Sequence, residues 1–169
     1  MHQLLNPFSQ IAHHANVNPA ASHPYRRSVI GIGSAHGQDA IGWRIVECLR
    51  RLGIVDVAYT LARNPLEIFD RCEEVDALHL VDACIGSDSG RLHRLQWPDE
   101  RLVALRWTST HGADIPGALQ LATELGMLPA SVTIWVIECE GDAAEDSWSH
   151  ELRLGIEFAA NQMGQELRG

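Results

Sequence analysis

Ser28-Val29-Ile30-Gly31-Ile32-Gly33, running on into Ser34-Ala35-His36-Gly37-Gln38-Asp39, decides how the chain folds. Val29 to Ile32 form a short apolar run closed by glycine, which predicts a buried strand. A short loop follows. Asp39 then opens an expected helix, because Ile41, Ile45, Val46, Leu49 and Leu52 recur every three or four residues. Gly53 stops it. A buried strand feeding a helix through a tight loop is the opening of an α/β fold.

Outward from this stretch the alternation continues. Ile54 to Leu61 predicts a second strand. Asn64 to Glu74 predicts a helix, with Asn64 as cap and Pro65 in its first turn. Ala77 to Val81 reads as a third strand cut off by Asp82. Arg91 to Gln96 and Leu102 to Trp107 alternate and suit strands nearer an edge. Ile115 to Leu125 is helical, capped near Asp114 and ended by Gly126. Val132 to Ile137 is again a strand. Glu151 to Leu167 closes the chain as an amphipathic helix, with Leu152, Ile156, Phe158, Ala159 and Met163 available to pack. Strands alternating with helices imply a mostly parallel sheet covered on both faces.

The 169 residues suit one domain able to bury a core. Residues 1–25, rich in Asn, His, Pro and Ala, read as a flexible tail, and 26–169 as the single α/β domain. His13 and His14 belong to that solvated tail. The tail lacks the basic-then-apolar order of a signal peptide. No apolar run reaches the length of about 18 residues that a membrane span needs. Acidic residues outnumber basic ones, 22 to 13, for a net charge of −9. That charge repels phosphate backbones and argues against nucleic acid as partner. Cys48, Cys72, Cys84 and Cys139 show no CxxC spacing, so buried free thiols in a reducing cytoplasm are expected. A monomer is expected, since no exposed apolar repeat suggests a dimer seam.

In open α/β sheets, sites form where loops leave the carboxyl ends of strands. Three exits here carry polar residues: Gly37-Gln38-Asp39, Val81-Asp82-Ala83 and Ser109-Thr110-His111-Gly112. Singly, Asp39 reads equally as a helix cap, Asp82 as a turn residue and His111 as a loop histidine or another cap. Together, two carboxylates and an imidazole suit a divalent first-row metal with open positions.

The stretch from Val29 to Gly42 resembles the amino-terminal signature of the hydrogenase maturation proteases: an apolar strand, Gly-Asn, a short loop, two acids and Gly-x-Gly. Leu80-Val81-Asp82-Ala83 with Gly90 is similar to that family's second motif. Ser109-Thr110-His111-Gly112 with Pro116, Ala118 and Leu119 is similar to its third, and Leu128-Pro129 with the strand to Glu138 to its last segment. Departures stand at Ser34 (for Asn), Gln38 (for the first acid) and Ala40 (for Gly), and the loop is one residue short. The resemblance implies a three-layer α/β/α sandwich around about five strands. It implies Asp39, Asp82 and His111 as metal ligands, with Asp39 also the candidate catalytic base. The metal is then nickel carried by a nickel–iron hydrogenase large-subunit precursor, whose carboxy-terminal peptide is removed; another divalent metal in the resting protein stays open. A non-proteolytic nickel-binding accessory module would need the same ligands.

Other chemistries fit less well. Gly31-x-Gly33-x-x-x-Gly37 imitates a dinucleotide-binding loop. The second strand lacks the ribose-binding acid, however, and Asp39 would repel a pyrophosphate. Neither a Gly-x-Ser-x-Gly elbow nor a His-Glu-x-x-His helix occurs.

Overall fold

A computed structural model describes residues 26–72, 75–108, 114–141 and 143–169. The expectations for the tail 1–25, including His13 and His14, and for His111 lie outside the described residues.

Six strands form one sheet: β1 (Arg27–Ile32), β2 (Val57–Ala62), β3 (Ala77–Ile85), β4 (Leu92–Gln96), β5 (Arg106–Trp107) and β6 (Ser131–Cys139). The order is β2-β1-β3-β6-β4, with β5 pairing β3 off that path. β2, β1, β3 and β6 run parallel, while β4 is antiparallel to β6 and β5 to β3. The α/β class and the mostly parallel sheet follow from the apolar strand runs, and the sixth strand is the two-residue β5.

One sheet face packs on α1 (Ile41–Arg51) and α4 (His150–Glu166), and buries Val29, Val81, Ala83, Trp135 and Ile137 with Ile45, Leu49, Leu152 and Met163. The opposite face buries Ile30, Ile32, Leu78, Leu80, Ile134 and Val136 against α3 (Ile115–Glu124), Leu102 of α2 (Arg101–Ala104) and Ile68. Strand residues alternate between the two faces, as the pleat requires. Among the described residues, no helix is long and apolar enough to cross a membrane.

Several expected elements differ, each for a local reason. Where a helix from Asn64 was expected, Pro65–Asp70 is a 3-10 helix, and the expected end at Glu74 lies outside the described residues; Asn64 and Glu67 close a capping box that sets its start. Leu102 to Trp107 is not a strand. Asp99 accepts from the Arg101 backbone N–H at 2.9 Å and nucleates the turn of α2, leaving only Arg106 and Trp107 to pair. β3 is not cut off at Asp82 but continues to Ile85, because β6 runs beside it as far as Cys139. Phe158, expected to pack, is exposed at 55%.

Candidate active site at the carboxyl edge of the sheet

β1 pairs with β3 only as far as Gly31 and Val81, and β3 continues four residues further to Ile85. The vacated side of β3 is taken by β5, which pairs Cys84 with Trp107 and Ile85 with Arg106. Asp82 lies in the gap between these two partners. It is 1% exposed and sits opposite Val136 of β6.

The chain leaving β1 returns to this gap at once. Gly33 has φ 145°, in the region that favours glycine, and the Ser34 N–H donates to the Asp39 carbonyl at 3.1 Å. Gly37–Ala40 forms a 3-10 turn that carries Asp39 in its first turn, so Asp39 precedes α1 instead of opening it. No side chain caps the start of that turn or of α1. Asp39 is therefore not a helix cap. Gly42 lets the start of α1 settle on the strand ends, since a Cβ there would lie 2.7 Å from the Val81 carbonyl oxygen and closer still to that of Ile32.

Asp82 feels both its burial and the charge of Asp39. Burial pushes the Asp82 carboxyl well above its usual range; the Ala83 N–H opposes this, and the negative charge of Asp39 adds to it. Asp82 Oδ1 accepts from that N–H at 2.7 Å. Asp82 Oδ2 and Asp39 Oδ1 are buried with no hydrogen-bond partner among the described residues. Unsatisfied buried oxygens are costly and uncommon. A pair of them on two acids fits a hard or borderline divalent cation.

Among the described residues, no three His, Cys, Asp or Glu side chains group to hold a metal ion. The third expected ligand, His111, lies outside them, but the neighbouring chain is informative. Thr108, three residues before His111, donates from both its N–H and its Oγ1 to the Ala83 carbonyl at 3.2 Å. Thr108, the last described residue before the third motif, is thus anchored to the residue beside Asp82. Asp114, on the far side of that motif, caps α3 by accepting from the Gly117 N–H at 2.8 Å.

A cleft of about 650 Å³ opens beside Asp39, walled by Gln38, Ile85, Thr108, Gly141 and Glu145 among others. Gln38 Oε1 accepts from the Gly141 N–H. Arg44 of α1 reaches Glu145 at 2.7 Å and Glu47 at 2.8 Å, tying α1 to the same loop. Gly141 and Glu145 went unnoticed in the sequence, although they lie at a fourth carboxyl-edge exit, after β6. Cysteine chemistry is disfavoured here, since burial pushes the Cys84 thiol up to about 12 and that of Cys139 to about 11.

No protein-family profile matches the chain, and no curated protein matches it by sequence. Solved structures do. The hydrogenase maturating endopeptidase HybD from E. coli superposes with a TM-score of 0.64 at 25% identity, over 85% of this chain and 92% of that one. In fold the chain resembles the hydrogenase maturation proteases. The [NiFe] hydrogenase maturation protease HybD from Thermococcus kodakarensis gives a TM-score of 0.66 at 19% identity, over 85% of this chain and 99% of its own. The hydrogenase 2 maturation peptidase from Thaumarchaeota archaeon SCGC_AB-539-E09 gives 0.61 at 23%, over 84% and 97%. All three superpose over nearly their whole lengths.

Proposed function

We propose that the chain is an endopeptidase of hydrogenase maturation, removing the carboxy-terminal peptide of a nickel-loaded large-subunit precursor. One observation carries this reading: Asp39 and Asp82, each with a buried oxygen unpartnered among the described residues, lie within electrostatic reach, and Asp39 lines an open cleft, in the fold of the maturation proteases. In this reading Asp39, Asp82 and His111 bind nickel that arrives with the precursor. That nickel would hold the cleavage segment in register and draw electron density from the bond to be cut.

The remaining work falls to the chain. Asp82, fully enclosed, serves as an anchoring charge. Asp39, partly exposed and lining the cleft, orients the attacking water and accepts its proton. The cleft receives an extended peptide segment between Ile85 and Gly141. Reading the precursor through its nickel gives the enzyme a checkpoint, because unloaded precursor lacks a contact. The reading places the protein in the cytoplasm as a monomer.

The test is processing of nickel-loaded precursor, followed by gel shift, with circular dichroism confirming folded variants. Asp82→Asn and His111→Gln are expected to abolish processing while remaining folded. Normal processing by both would refute the site. Loss in both with full activity in Asp39→Asn would keep the metal site and remove Asp39 from it. Nickel binding without cleavage would favour an accessory role.

A further inference from the structure

Gln38 is a buried polar residue, 4% exposed, that stands next to Asp39 and lines the same cleft. Its orientation is set by chemistry: the Gly141 backbone N–H can only donate, so Oε1 must face it. Nε2, with two N–H donors, is thereby turned away from Gly141. Among the described residues it has no acceptor, and the neighbouring Asp39 Oδ1 has no donor. The two side chains therefore do not satisfy each other.

An acid at this position could make the Gly141 bond equally well. It could not donate, and it would place a third negative charge beside Asp39 and Asp82. The carboxamide thus adds one capacity that an acid lacks, a neutral donor held beside the base and open to the cleft.

We propose that Gln38 Nε2 donates a hydrogen bond to the scissile carbonyl oxygen of the bound peptide. The inference rests on the endopeptidase reading above. Water adds to the carbonyl carbon, its proton passes to Asp39, and the electron pair of the C=O bond moves onto the oxygen that Nε2 faces. A pre-oriented donor at that oxygen stabilises the developing charge without reorganising. Gly141 holds the amide in place, so the same bond that closes the loop also aims the donor.

The experiment is steady-state processing of nickel-loaded precursor by the full chain and its Gln38→Glu, Gln38→Met and Asp82→Asn variants, with hydrogen exchange read at the Gly141 amide. Glu keeps the acceptor for Gly141 and loses the donor; Met loses the donor without adding charge. The expected result is a fall in kcat on the order of 100-fold in both Gln38 variants, with KM nearly unchanged. Gly141 protection should persist in Gln38→Glu. Wild-type turnover in either variant overturns the proposal, as does a loss confined to KM or one that tracks lost Gly141 protection in Gln38→Glu. If Asp82→Asn is inactive while the Gln38 variants process normally, only the role of Gln38 falls. If Asp82→Asn also processes normally, or wild type does not process at all, the endopeptidase site falls and this assignment with it.

Discussion

Asp82 carries a charge that the fold does not compensate. Its Oδ1 has one backbone donor, its Oδ2 has none among the described residues, and the closest charge to influence it is another carboxylate. The folded-state pKa is raised, so the proton is bound more tightly in the fold than in the unfolded chain. That contribution to stability is present below the ordinary carboxylate range and is lost as pH rises through the raised value. At neutral pH without metal, the fold therefore carries an ionisation cost. Asp82→Asn removes it while keeping an oxygen for the Ala83 N–H. The metal-free variant is expected to melt above wild type at pH 7, by about 2–4 °C for each kcal/mol relieved. The difference should vanish at acid pH, where wild type is already protonated. Nickel should raise the wild-type Tm and leave that of the variant alone. Calorimetry at two pH values, with and without nickel, checks both; a variant that melts lower at pH 7 would show that the charge is compensated. The sequence identified Asp82 as exceptional because it interrupts an apolar run. It could not place the residue inside the strand, since the partner that extends β3 lies more than fifty residues away in β6.

At the scale of elements, the site depends on how closely α1 approaches the sheet. Gly31 and Gly42 make that approach: a Cβ on Gly31 would lie 2.5 Å from the Gly42 carbonyl oxygen and 2.8 Å from Val46 Cγ2. Both obstacles at Gly42 are backbone carbonyls, which cannot rotate away. Gly42→Ala gains up to about 1 kcal/mol of helix propensity and faces an overpacking cost of about 1–3 kcal/mol or more. The clash should win. Thermal or urea unfolding is expected to show a net loss, and processing should fall further than stability because Asp39 moves with the helix start. An unchanged midpoint with full activity would mean that the helix shifts without disturbing the acids. The glycines were visible in the sequence, Gly31 in the imitation dinucleotide loop and Gly42 at the end of the family-like signature, but their packing was not, because the carbonyls they meet come from other elements. The mis-assigned Leu102 to Trp107 segment shows the same limit from the other side. Its apolar alternation is real, yet Asp99 turns the chain locally and overrides it.

For the molecule as a whole, the two sheet faces titrate in opposite senses. Beneath α4, His79 of β3 is 5% exposed and its Nδ1 accepts from Trp135 Nε1 at 3.3 Å. Burial lowers its pKa from 6.5 to about 4; Glu166 opposes this, and Arg94 and Arg27 reinforce it. The folded state disfavours the proton, so this stability is complete above pH 6.5 and is lost as pH falls from 6.5 towards 4. The full shift corresponds to about 3 kcal/mol. Protonation of Asp82 on the other face works the opposite way, so the net acid sensitivity of wild type mixes two trends. Replacing His79 separates them. His79→Gln keeps an acceptor for the Trp135 indole and cannot charge. It is expected to cost about 1 kcal/mol or less at pH 7.5 and to lose markedly less stability than wild type between pH 6.5 and 4. Urea midpoints measured across that range in both proteins decide the matter. Parallel slopes would mean that His79 accepts its proton without cost, through relaxation of α4 towards solvent, and that the acid sensitivity arises elsewhere.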